Sequence, residues 1–320
     1  MEIAPGIHRV DIPLGERTCA MYLLVGSEFS ILIDTAIAGA LDDAVTPYLS
    51  RIGVRPGSIR LVLISHADVD HTGDSAAAKA LFPHALLACH RDDIAEIEDV
   101  EVMLSRRYAQ FAADHHIDDP PAAKAWVREV GKTAPVDFLL TGGERIRLGD
   151  GWEIEIVHTP GHSRGHITVW DPRNRAAIIA DAVLGKGLVT TTGAPVMPPT
   201  YRYVDAYRST IGQIEALPCE WLLTSHFPIM RGEEVPPFLA ESRAFADQVE
   251  ENILAKLGDA PMTTAEVIRE IGPAIGPWPV EDLLAAIAFP VVGHLEYLAA
   301  IGTIRQDRNS DGVITWAIGA

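Results

Sequence analysis

Short apolar runs punctuated by turn residues dominate the first two thirds of the chain, and longer periodic stretches dominate the last third. Residues 7–12, 21–25 and 29–33 predict successive strands, with Gly26-Ser27-Glu28 as a turn. Residues 41–52 predict a helix closed by Gly53. Arg60-Leu61-Val62-Leu63-Ile64 reads as a buried strand, followed by an alanine-rich helix capped by Asp74 or Ser75 and ending near Pro83. A strand over 85–88 leads to His90. Residues 138–140, 144–148 and 152–158 rebuild the sheet, and 167–171 with 176–180 form a hairpin through Pro172-Arg173-Asn174.

Between these halves, residues 92–137 carry Ile94, Ile97, Leu104, Tyr108 and Phe111 near helical spacing, which predicts a helix with one apolar face. His115, His116 and Asp118 precede Pro120-Pro121 and read as a solvated turn; a second short helix runs through Trp126. This insertion is expected to be a lid or a subunit contact. Beyond Gly232, Pro236-Pro237 introduces a long amphipathic helix carrying Phe238, Phe245, Val249, Ile253 and Leu257. Three short helices over 263–271, 281–288 and 292–302 follow. Residues 304–306 and 313–317 close the chain as a hairpin through Asn309-Ser310-Asp311-Gly312.

The candidate chemistry sits at the end of the strand over 60–64, in Ser65-His66-Ala67-Asp68-Val69-Asp70-His71-Thr72-Gly73. Alternation sends His66, Asp68 and Asp70 to one side of an extended segment, while His71 breaks the alternation and can serve a second ion. Four ligand types packed this tightly match metal-ligand chemistry better than structural histidines. One segment does not complete a dinuclear shell. His162, Asp181 and His226 each follow a short hydrophobic strand and precede a loop, where layered α/β folds carry their sites.

From residue 7 to about 232 the chain resembles the metallo-β-lactamase superfamily, through Leu32-Ile33-Asp34-Thr35, the 66–73 segment, Thr159-Pro160-Gly161-His162, Asp181 and Ser225-His226. The resemblance implies an α/β fold, a four-layer αββα sandwich, and a metal-dependent hydrolase with two divalent ions, zinc foremost. His66, Asp68 and His162 are then expected to hold one ion, Asp70, His71 and His226 the other, and Asp181 to bridge them. Asp70 and Asp181 are the expected catalytic carboxylates, with Asp34 and His158 behind the ligands. A bridging hydroxide would cleave an ester, lactone, thioester or related bond of a small molecule.

One departure matters. The family pattern is His-x-His-x-Asp-His, and position 68 here is Asp. A carboxylate oxygen reaches about as far as Nδ1, but Asp68, Asp70 and Asp181 bring three negative charges against four positive, leaving about +1. That weakens Lewis acidity and favours harder ions such as iron or manganese. The flavodiiron branch of the fold carries an acid at this position, so a diiron oxidoreductase is the alternative, although no flavodoxin-like half is present.

Composition narrows the remaining classes. An apolar fraction of 48% with 22% charged residues describes an ordinary globular protein. The net charge of −18 argues against nucleic acid and against an anionic membrane as partners. Cys19, Cys89 and Cys219 suggest no disulfide framework, and neither a signal-peptide pattern nor an apolar run of membrane-spanning length is present; a cytoplasmic location is expected. The chain divides into a catalytic domain over 1–232, with the insertion at about 92–137, and a linker helix with a winged-helix-like domain over 233–320. Residues 256–320 hold four Lys/Arg against eight Asp/Glu, so a DNA-binding regulator is the least favoured reading, and packing onto the catalytic domain or a homodimer partner is preferred. Lys186, Thr191, Tyr201 and Tyr203, in the loop after Asp181, are the expected substrate contacts.

Overall fold

The computed structural model describes residues 1–319. Two β-sheets lie face to face. The first has seven strands in chain order, from Glu2–Ala4 to Phe138–Leu140. The second has six, with Trp152–His158, Ile167–Asp171, Ala176–Ala180 and Trp221–Thr224 as its interior strands. Strand alternation explains the layering. In Ser30–Ile33, Ile31 and Ile33 point between the sheets and meet Ile156, Val169 and Ile178, whereas Leu32 points outward. The outward face of the first sheet is covered by Leu41, Leu49, Ala78 and Phe82. Ile179 and Leu222 face the other way, onto Ile211 of the helix Val204–Glu215 and Val249 of the helix Val235–Lys256. The result is the expected four-layer αββα sandwich.

Parallel pairing positions the site. Ser30–Ile33 runs parallel to Ile59–Leu63, which runs parallel to Leu86–His90, so Asp34 and the 65–68 segment leave the sheet at one edge. Ala176–Ala180 pairs in parallel with Trp221–Thr224, delivering Asp181 and His226 to the corresponding edge of the second sheet.

Three expectations are corrected in the helical parts. The insertion is not one helix. Asp99 accepts from the N–H groups of Glu101 and Val102 at 2.8 and 3.3 Å and starts a new helix at Val100, and Leu104–Tyr108 closes as a π-helical turn. His115 is not in a solvated turn either. It is buried, shares a 2.8 Å hydrogen bond with the Thr264 hydroxyl and stacks on Trp316. Near the C-terminus the second and third expected helices are one, Leu284–Ala300, continuing through Pro290. Burial of 286–295 on nearly every side stabilises the continuous helix despite the hydrogen bond that Pro290 cannot make. Met262–Thr263, Ile304–Arg308 and Ile314–Ile318 form a three-stranded sheet beside these helices, with the last strand central. Val267, Ile287 and Trp316 of this region share one apolar cluster with the outer face of the second sheet.

Candidate metal centre

At the common edge of the two sheets, ligand atoms from four segments converge. His66 Nε2 lies 3.5 Å from Asp68 Oδ2, which is 2.8 Å from His162 Nε2. Beside them, His226 Nε2 lies 3.4 Å from Asp70 Oδ2 and 3.2 Å from Asp181 Oδ2, and His71 Nε2 is 3.8 Å from that same oxygen. Separations of this size suit donors sharing an ion. His66 Nε2, His71 Nε2 and Asp181 Oδ1 are buried without a hydrogen-bond partner, a costly arrangement unless a cation satisfies them. The donor set therefore fits divalent metal.

Local structure aims these donors. Asp34 stands in the left-handed region at φ 64°, its Oδ1 accepts the Ser65 N–H at 2.7 Å and its Oδ2 accepts from His71 Nδ1 at 2.8 Å, which turns His71 Nε2 toward the site. His226 Nδ1 donates to the Thr18 carbonyl at 2.9 Å with the same effect. Burial alone lowers the basicity of His71, but Asp34 and Asp181 outweigh it and raise it to about 10. The pocket draws positive charge. His66 is lowered to about 4 by burial and by neighbouring His71.

The Metallo-beta-lactamase superfamily model matches residues 14–226, two thirds of the chain and every one of these donors. The chain belongs to that superfamily. A hydroxyacylglutathione hydrolase of Cereibacter sphaeroides is 24% identical over 220 residues, covering 67% of this chain and 71% of the relative. The uncharacterized protein YobT of Bacillus subtilis is 28% identical over 176 residues, 54% of this chain and 65% of that protein. Among solved structures, a metallo-beta-lactamase family protein from Thermus thermophilus superimposes with a TM-score of 0.76 at 22% identity, over 98% of this chain and 99% of that one. A beta-lactamase domain protein from Burkholderia ambifaria gives 0.78 at 20% identity, over 100% and 94%. The fold likeness thus extends over the insertion and the C-terminal region.

This metallo-β-lactamase superfamily member carries a feature its motif does not announce. Arg107, buried on the π-helical turn Leu104–Tyr108, donates from Nε to Asp68 Oδ1 at 2.8 Å and from Nη2 to Oδ2 at 3.1 Å. Its Nη1 donates to the His162 carbonyl at 2.8 Å, and Nη2 lies 3.0 Å from His162 Nε2. Burial raises the Asp68 carboxyl pKa, but Arg107 and His162 outweigh it and hold it well below the usual range. The Asp68–Arg107 pair is formally neutral, like the imidazole of the family pattern, so the expected loss of positive charge is cancelled. With it goes the electrostatic reason for favouring iron or manganese. Tyr108, the next residue, accepts the Val69 N–H at 3.0 Å. Asp93 accepts from Ser163 Oγ at 2.5 Å and from the Gly165 N–H at 2.6 Å, holding the His162 loop. A Cβ at Gly165 would meet Asp93 at 2.8 Å.

Beside the donors opens a cavity of about 210 Å³, lined by Asp68, Asp70, Asp181, Arg107 and His226 and walled by Leu104, Trp126, Val127, Leu188, Met197, Ala286 and Phe289. The insertion and the helix Leu284–Ala300 thus supply most of its apolar wall. None of the four expected substrate contacts lines it. Lys186 is 74% exposed and pairs with Glu241 at 2.9 Å. Thr191 lines a separate groove on the other side of His226. Tyr201 is fully buried, stacked on Tyr207, with its hydroxyl 2.9 Å from His294 Nε2. Tyr203 lies under the Arg164 guanidinium. His158 is stacked on His90 and donates from Nε2 to the Arg164 carbonyl at 2.8 Å; it steadies the His162 loop without touching a ligand side chain. His166, stacked on His66 at 5.0 Å, is the histidine that does contact one.

Proposed function

We propose that the chain is a metal-dependent hydrolase that cleaves a thioester or ester of a small molecule carrying an apolar acyl group. The observation that carries this reading is the meeting of seven metal-ligand side chains with an apolar-walled cavity. His66, Asp68 and His162 would hold one ion, Asp70, His71 and His226 another, with Asp181 between them. When bound, metal supplies Lewis acidity and makes hydroxide available at neutral pH. Asp70 and Asp181 line the cavity and orient the attacking water by accepting its hydrogen bonds. Leu104, Trp126, Val127 and Phe289 bury the acyl chain and keep bulk water away from the carbonyl. Arg17, on the same wall, makes one side-chain hydrogen bond among the described residues, to Met197 Sδ at 3.9 Å, and can receive an anionic end of the substrate. A relative that bears the name of a glutathione thioester hydrolase supports the thioester among the bond types.

The test is a hydrolysis screen of acyl thioesters and esters of increasing chain length, run on metal-loaded and chelator-stripped protein. We expect kcat/KM to rise with acyl length, and chelation to abolish the activity. Equal activity after stripping, or no cleavage of either bond class by protein loaded with zinc, manganese or iron, would refute the reading.

A further inference from the structure

We infer that the two halves of the centre are unequal: Arg107 engages two of the three donors of the His66–Asp68–His162 half, Asp68 and His162, so zinc binds there much more weakly than at Asp70, His71, His226 and Asp181. This rests on the site being a metal centre, as proposed above.

The argument starts from lone pairs. A neutral imidazole nitrogen has one, and His162 Nε2 has already spent it or lost it. If that nitrogen is unprotonated, the Nη2 of Arg107 at 3.0 Å donates to it; if it carries the proton, it donates to Asp68 Oδ2 at 2.8 Å. In either tautomer an ion must displace a protein hydrogen bond to bind His162. Each oxygen of Asp68 likewise accepts from the arginine fork, which leaves an ion only their remaining lone pairs. Arginine keeps its charge at every pH the protein survives, so it repels a divalent ion at this range and cannot deprotonate to make room. Nor can it swing away at little cost. Its Nη1 is tied to the His162 carbonyl, its guanidinium lies 4.7 Å from the centroid of the Phe289 ring, and its side chain is buried.

Among the described residues, no arginine pairs with the donors of the other half. His71 and His226 each donate from Nδ1 to an oxygen behind them, at 2.8 and 2.9 Å, which turns Nε2 inward, where an ion takes the place of its proton. His71 Nε2 and Asp181 Oδ1 have no protein partner. No cationic side chain forms an ion pair with Asp70 or Asp181 among the described residues except His71 and His226 themselves.

Equilibrium dialysis of the full chain with zinc alone, against a chromophoric chelator, reads both affinities without recourse to activity. We expect one tight ion and a second bound at least about 100-fold more weakly. His226→Gln should remove the tight ion, whereas His162→Gln should leave it. Arg107→Gln should tighten the weak ion by about 10–100-fold, the range over which groups behind the ligands move metal affinity. Arg107→Lys, which keeps the charge without the fork, should tighten it less. Circular dichroism checks that each variant is folded; if Arg107→Gln is not, the His226 and His162 pair decides alone. Two ions of equal affinity, a tight ion lost only in His162→Gln, or a weaker second ion in folded Arg107→Gln would each overturn the inference while leaving the metal centre intact. Failure to bind any zinc, manganese or iron would overturn both.

Discussion

Asp68 and Arg107 form a buried ion pair, and a buried charge left without its partner is costly. Replacing Asp68 with His restores the family's motif yet strands the guanidinium among Phe289, Leu104 and His162. We therefore expect Asp68→His, measured by urea unfolding in chelator, to lose about 3–5 kcal/mol. Adding Arg107→Met should recover most of the loss. A single variant within about 1 kcal/mol of wild type would show that the pair contributes no such coupling. The four donors over 66–71 were legible because they lie together in sequence and their residue types speak for themselves. Arg107 announced itself only indirectly: it falls three residues after Leu104 and four before Phe111, on the apolar face of its segment. A permanent charge on a buried face needs an acid, and its acid lies 39 residues away in sequence.

The segment Leu104–Tyr108 shows why that face was hard to read. A π-helical turn takes one extra residue, and the Ala109 N–H returns to the Leu104 carbonyl at 2.8 Å. At this turn Arg107 and Tyr108, adjacent in sequence, both reach the 66–71 segment, at Asp68 and Val69. Tyr108 supplies the acceptor for the Val69 N–H at the start of the short helix carrying Asp70 and His71. Tyr108→Phe leaves that N–H without a partner. The expected cost is about 1–3 kcal/mol of stability in a urea titration. Zinc affinity should fall along with it in the dialysis assay, since the loop's geometry loosens. Unchanged stability and affinity would mean that water replaces the hydroxyl at no cost. The strands, by contrast, followed from their apolar runs, because a strand buried on both faces needs little more than that pattern.

Across the whole molecule, the loop after Asp181 is tied to the C-terminal region through a chain of polar contacts. The Tyr201 hydroxyl meets His294, whose Nδ1 lies 3.4 Å from Glu250, and Glu250 accepts from Arg208 at 2.9 Å. Tyr201 is thus buried in the core, its hydroxyl against a histidine 93 residues further on, a contact invisible in the local sequence. His294 and Arg208 lower the Glu250 carboxyl to about 2. Because that value lies below the unfolded one near 4.5, Glu250 contributes stability above about pH 4.5 and loses it as the pH falls toward 2. Discounted for its partial exposure, the contribution is about 1–2 kcal/mol. Glu250→Gln should be less stable than wild type by that amount at pH 7, and the two unfolding curves should converge between pH 4.5 and 2. Parallel curves across that range would remove Glu250 from the pH dependence.

The cavity joins parts of the chain that lie far apart in sequence. Its candidate ligands stand on the sheet edges, while Trp126, Val127, Ala286 and Phe289 come from the insertion and from a helix near the C-terminus. Those walls tolerate exchange of one apolar residue for another of similar volume, whereas the donors tolerate almost none. Exchange among the wall residues is therefore expected to change what the cavity admits while leaving the donors in place. A lineage that inherits this architecture is free to change diet while keeping its teeth.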